Sequence, residues 1–317
     1  MTDEITLNDY SSDKDITQAQ AEKRLQEIVK KAEALGKQVP PVKLPKEDVD
    51  EAKALKIVIS RLEQAKYYEG EFQPDFTQLF LDESFLGGIS IGVSKRADFS
   101  VPTAYVGVRR NGNAYDVVLG FNPSFMRKLN KLQRAGVIRH ELYHLVFQHI
   151  FTRAIGDQRL ATLWNWATDL AINSIIGKDN LPTLCLIPGH RNIDPATGKP
   201  VEGIYADYIA NAPKMKASDH YFAELLKLMQ DNNHDEGDLT IGLNGDVGTM
   251  DDHSGWEDIP EEVKEEIRER VRELVGEGAM RADQNNSWGN TPQEIQEWIR
   301  KMLSREIDWR NIVKSFF

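Results

Sequence analysis

Residues 137–149 read VIRHELYHLVFQH, and the spacing inside this run sets the expectation for the rest of the chain. Val137, Ile138, Leu142, Leu145, Val146 and Phe147 are apolar at helical intervals, which predicts a buried helix from about Lys131 to Thr152. His140 and His144 stand four residues apart and therefore project from one face. Glu141 lies about 100° round the helix from His140. Two imidazoles so placed can share one Zn2+ at about 2.0–2.1 Å. A neighbouring carboxylate can then take the proton of a water whose pKa the ion lowers to about 7. A surface helix carrying two unrelated histidines would lack this apolar surround, and buried histidines need partners.

A tetrahedral site of this kind uses one more protein ligand and leaves a position open. The best candidate lies in LWNWATDLAINSII, residues 163–176, part of a second apolar helix expected over about 160–176. Asn165, Asp169 and Asn173 fall at i, i+4 and i+8 and form its one polar stripe. An ionised aspartate on a buried helix costs several kcal/mol unless it is paired or bound to metal. Asp169 is therefore the expected third ligand, with Asn165 and Asn173 supporting the ligands or packing the helix. Pairing of Asp169 with Arg139, Arg153 or Arg159 is the alternative.

Three other histidine or cysteine positions invite a role. In a continuous helix His149 falls about 180° from His140, and no Gly or Pro lies between His144 and His149 to break the turn. It is expected to be a packed or capping residue, with Gln148 better placed on the ligand face. His253, in DDHSGW, sits in an irregular stretch that could fold over a cleft as an oxyanion donor or alternative ligand. Cys185, the single cysteine, lies in the apolar run LPTLCLIPG and reads as a buried structural thiol. DNNHDEG, residues 231–237, resembles a calcium loop only faintly: Glu236 stands where the sharp-turn glycine belongs.

Working outward, residues 17–36 carry apolar residues at helical spacing ahead of Gly36, and KQVPPVKLPKED reads as a linker. A charged helical arm and linker over 1–46 and a domain over 47–317 follow. A helix is expected over 48–67. TAYVGVRR and AYDVVLGF read as two strands joined at Asn111-Gly112, and Asn122-Pro123-Ser124 opens a helix. The strand at 114–120 is the expected sheet edge, along which a peptide could lie by strand addition. Residues 177–255 are irregular with short helices near 202–211 and 219–230. Two amphipathic helices close the chain, one from near Pro260 and one capped by Thr291 and Glu294.

Composition narrows the function class. The chain has 317 residues, 40% hydrophobic and 28% charged, which is ordinary for a globular protein. A net charge of -11 argues against a nucleic-acid or anionic-membrane binder, because both need a basic face. The acidic start MTDEITLNDYSSDKD lacks a secretory h-region, no apolar run approaches membrane-spanning length, and one cysteine fits a reducing compartment. A cytoplasmic location is expected.

HELYHLVFQH and LWNWATDLAIN together resemble a bacterial and phage group of metallopeptidase domains that pair an HExxH domain with a von Willebrand A-like domain. The likeness covers roughly residues 50–317, including Val118 to Phe125, the LP…G…GIYADYI segment and DWRNIVKSF. It implies a zincin-like domain with His140 and His144 as ligands and Glu141 as the catalytic residue. Asp169 matches the acidic position of the second helix. A MoxR-type AAA+ ATPase partner is also implied, and the sequence stops at Phe317, where the relatives continue into the A-like domain. The expected fold is α+β and zincin-like, mostly helical with a small sheet beside the HExxH helix. The expected activity is zinc-dependent hydrolysis of peptide bonds. Two rivals stand beside it: an inactive, zinc-stabilised adaptor that docks an ATPase or another protein, and a metal-dependent hydrolase of a non-peptide bond.

Overall fold

Which strand is central depends on pairings that local sequence does not show. A computed structural model of the chain describes residues 51–111, 114–151, 157–183, 185–194, 197–231 and 261–304. Within these, β1 (Ser94–Ala97), β2 (Ala104–Asn111) and β3 (Ala114–Phe121) form a sheet in the order β1-β3-β2. β3 pairs antiparallel with β2, from Ala104 opposite Phe121 to Asn111 opposite Ala114. It pairs parallel with β1, from Ser94 opposite Val118 to Ala97 opposite Phe121. The strand at 114–120 is therefore the middle strand of the sheet and not an edge strand. Val118–Phe121 are flanked on both sides, which blocks strand addition over that half, whereas Ala114–Val117 pair with β2 alone among the described residues. The buried run Val117, Val118, Leu119 and Phe121 shows that both faces of this end of β3 are covered. Of the turn expected at Asn111-Gly112, Gly112 lies outside the described residues.

Helices surround the sheet. α1 (Glu51–Asp82) runs well past the expected 48–67, α2 (Ser84–Ile91) follows it, and α3 (Pro123–Met126) starts after Asn122, whose side chain accepts from Ser124 N–H. α4 (Lys131–Val146) opens on a capping box in which Asn130 and Gln133 satisfy each other's backbone N–H groups. It packs on β2, which puts the sheet beside the HExxH helix. α5 (Gln158–Ile176) is capped by Asp157. α6 (Ile204–Asn211), α7 (Ser218–Asp231), α8 (Glu261–Asn285) and α9 (Gln293–Ser304) complete the described fold. α9 begins immediately after Pro292, and the Thr291 hydroxyl ahead of it meets Tyr143 Oη at 3.0 Å. This mostly helical arrangement with a small sheet is α+β.

The apolar interior has two parts among the described residues. One lies between the sheet, α1, α2, α4 and α8, and holds Phe85, Leu119, Phe121, Ile138, Leu142 and Leu274. The other gathers Leu163, Trp166 and Leu170 of α5 with Tyr205 and Ile209 of α6 and Tyr221 and Leu225 of α7. Each such side chain stabilises the fold by about 1.5–3 kcal/mol when buried. α4 lies closely against the 3-10 turn Lys178–Asn180 that follows α5, and at Gly136 a Cβ would stand 1.8 Å from the Asn180 carbonyl oxygen. Glycine at that point lets the turn after α5 pack on α4. No described helix is long and apolar enough to cross a membrane.

Candidate metal centre

α4 supplies His140 and His144 on one face, and α5 turns Asp169 towards them. The Nε2 atoms of the two histidines are 3.0 Å apart. Asp169 Oδ1 lies 3.5 Å from His140 Nε2 and 3.7 Å from His144 Nε2. Neighbouring ligand atoms of a tetrahedral ion with bonds of about 2.0–2.1 Å stand roughly 3.3 Å apart, so this triangle has the right size. All three residues are buried, and Glu141 beside His140 is wholly buried too. Both Asp169 oxygens are shielded from solvent and accept no hydrogen bond among the described residues. Of the arginines that could have paired with Asp169, Arg139 pairs with Glu83 and Arg159 with Asp157. Arg153 lies outside the described residues.

The hydrogen bonds behind the histidines decide which nitrogens face inwards. Asn173 Nδ2 donates to the Leu186 carbonyl at 2.9 Å, which leaves Asn173 Oδ1 to face His140 Nδ1 at 2.8 Å. That oxygen can only accept, so His140 carries its proton on Nδ1 and presents a bare Nε2 to Asp169. His144 Nδ1 faces His149 Nδ1 at 3.1 Å, and His149 Nε2 faces Ser218 Oγ at 3.2 Å. When His144 Nδ1–H donates to His149, the His149 Nε2–H donates onward to Ser218, and His144 Nε2 is bare as well. In that tautomer two lone pairs and a carboxylate converge in a dry interior, which costs several kcal/mol unless a positive charge offsets it. The two imidazoles and one carboxylate suit a divalent cation of the zinc type in both chemistry and size.

The His149 contact requires a break in α4 that its sequence does not announce. The helix ends at Val146, Gln148 takes a positive φ of 59°, and His149–Phe151 continue as a short 3-10 turn. The expected helix to Thr152 is thus cut short, and His149 swings from the far face to the back of His144. Its ring packs between Phe147 and Trp164, at centroid distances of 5.6 and 6.2 Å. Gln148 is turned away from the ligand face, and its Nε2 meets Met302 Sδ at 3.5 Å. A left-handed glutamine is uncommon outside Gly and Asn positions, so periodicity gave no sign of it.

The remaining expected residues separate clearly. Asn173 holds His140, whereas Asn165 contributes its carbonyl to Thr168 Oγ1 at 2.8 Å and stays apart from the histidines. Cys185 is buried, and burial, with the nearby charge of Asp169 adding to it, pushes its thiol pKa well up. That is the inert structural thiol expected for this position. His253 and the segment around 231–237 beyond Asp231 lie outside the described residues.

The family described as "Putative metallopeptidase domain" matches residues 68–317. The chain belongs to that family. The match takes in α4, α5 and every helix after them, so the whole His140–His144–Asp169 group lies inside the family's domain. No curated protein and no solved structure matches the chain.

Proposed function

We propose that the protein is a zinc-dependent peptidase of zincin-like fold, in which His140, His144 and Asp169 hold the ion and Glu141 is the general base. The observation that carries this reading is the buried triangle of donors, with His140 Nε2 bared by Asn173 and His149 placed behind His144 to do the same there. Two neutral imidazoles and one carboxylate leave a net positive charge on a bound Zn2+. The ion would supply Lewis acidity and lower the pKa of water to near about 7. Glu141 takes the proton of the attacking water and delivers it to the leaving amine as the peptide bond breaks. Asn173 and His149 keep the imidazoles in one tautomer and one orientation throughout. The domain is taken to span 47–317, with 1–46 as an arm. A cytoplasmic setting fits the single buried cysteine.

The test is Glu141→Gln in the full chain, assayed for zinc content and for cleavage of an unfolded protein such as casein. The reading predicts one zinc per chain and loss of cleavage by about a hundredfold or more. Undiminished cleavage in that variant would remove Glu141 from the mechanism.

One observation favours a second reading. The three ligand side chains are fully enclosed, as in a site that only stabilises its protein, and an adaptor docking a MoxR-type AAA+ ATPase would need no more. Such a site would be closed by a fourth protein ligand, so X-ray absorption on the zinc-loaded protein separates the two by counting nitrogen and oxygen donors of the protein.

A further inference from the structure

Behind Asn173 the fold opens a cleft of about 250 Å³, lined by Asn173, Ser174, Lys178, Ile187, His190 and Lys214 together with Gly177, Pro188 and Gly189. None of the lining residues is acidic, in a chain where 50 Asp and Glu outnumber 39 Lys and Arg. Neither Lys178 nor Lys214 makes an ion pair among the described residues. Both line this cleft. Burial and the two lysines together hold the His190 pKa below the usual imidazole range.

The positions of these groups are set by the fold. Met215 N–H donates to Ser174 Oγ at 2.6 Å, which fastens the segment carrying Lys214 to α5. Lys214 Cε passes over Gly189, 3.4 Å from where a Cβ there would stand, and Gly189 has a φ of 75° that favours glycine. Lys178 stands just past Gly177, the residue that ends α5. The cleft is smaller than the roughly 300–1,000 Å³ of sites that enclose whole small molecules. It suits one side chain or one chain terminus. Asn173 is shared between the cleft and the metal centre, since its Oδ1 accepts from His140 Nδ1.

We infer that this cleft is a substrate subsite that receives a carboxylate of the peptide, between Lys178 and Lys214 and beside the residue that orients His140. The inference deepens the peptidase reading and rests on it for the identity of the ligand. Two sources share the chemistry: an acidic side chain and a free C-terminus.

The test uses the full chain carrying Glu141→Gln, zinc-loaded and metal-free, with three probes. These are N-acetyl-alanyl-alanyl-glutamate amide, its glutamine counterpart, and N-acetyl-trialanine with a free terminus. Binding is followed through the backbone amide signals of Gly189 and His190. One of the two acidic probes is expected to bind about tenfold or more tighter than the glutamine probe, and which one names the source. Lys178→Glu with Lys214→Glu should abolish the preference while leaving zinc content unchanged. Equal binding of all three probes, or a preference that survives the double reversal, overturns the inference. Because the cleft is formed by protein groups alone, the metal-free chain should show the same preference. A failure here is thereby distinct from an absence of zinc or of cleavage.

Discussion

Replacing Asn173 by Ala tests whether the histidine tautomers are set from outside the metal centre. Asn173 makes two buried hydrogen bonds, 2.8 Å to His140 Nδ1 and 2.9 Å to the Leu186 carbonyl. Its removal strands a buried N–H on His140 and a buried carbonyl on Leu186, and each stranded group costs about 1–3 kcal/mol. The folded metal-free protein should therefore lose about 2–6 kcal/mol, before any relaxation or water entry. Freed of its acceptor, His140 can turn its proton inward, and zinc affinity should fall about 10–100-fold. That fall corresponds to about 1.4–2.7 kcal/mol. Asn173→Asp separates the two effects, because a carboxylate still accepts from His140 but cannot donate to Leu186. Its zinc affinity should stay at or above the parent value while its metal-free stability drops. Competition titrations against a chromophoric chelator give the affinities, and denaturant unfolding gives the stabilities. Equal zinc affinity in the parent and in Asn173→Ala, alongside the stability loss, would refute the reasoning and reduce Asn173 to a packing residue.

Two further outcomes follow from the same geometry. His149→Phe should keep the ring packing against Phe147 and Trp164 but remove the acceptor behind His144, lowering zinc affinity by about tenfold or more in the same titration; an unchanged affinity would show that His144 needs no help from His149. Gly136→Ala places a methyl 1.8 Å from the Asn180 carbonyl oxygen, so α4 must shift away from the 3-10 turn that follows α5. A loss of about 1–3 kcal/mol is expected by denaturant unfolding, and a neutral effect would mean that α4 and this turn are not held at that distance.

The parts of the site legible in the sequence are those that depend on helical periodicity alone. His140, Glu141 and His144 follow from spacing within one turn, and Asp169 and Asn173 stand out because their helix is otherwise apolar. What the sequence concealed depends on partners far along the chain. β1 is four residues, SKRA, with two cations and no alternation, and only its parallel pairing shows that β3 is central. The bend at Gln148 needs a backbone conformation that no Gly or Asn advertises, and with it goes the only route by which His149 reaches His144. Ser218 is separated from His149 by 69 positions, a contact no local pattern encodes. Leu186, whose carbonyl orients Asn173, comes from a stretch that reads as irregular and is still fixed in place.

α5 is a party wall between two apolar rooms: Ile172 and Ile176 belong to the room that houses α4, while Leu163, Trp166 and Leu170 belong to the one shared with α6 and α7. The imidazoles are furniture of the first room, and the carboxylate hangs on the wall itself. Any ion gripped by all three would act as a rivet through that wall, so prying the α5–α7 layer loose would mean pulling the rivet first. Amide exchange in α5, α6 and α7 should consequently slow more on metal loading than exchange in β2 and β3.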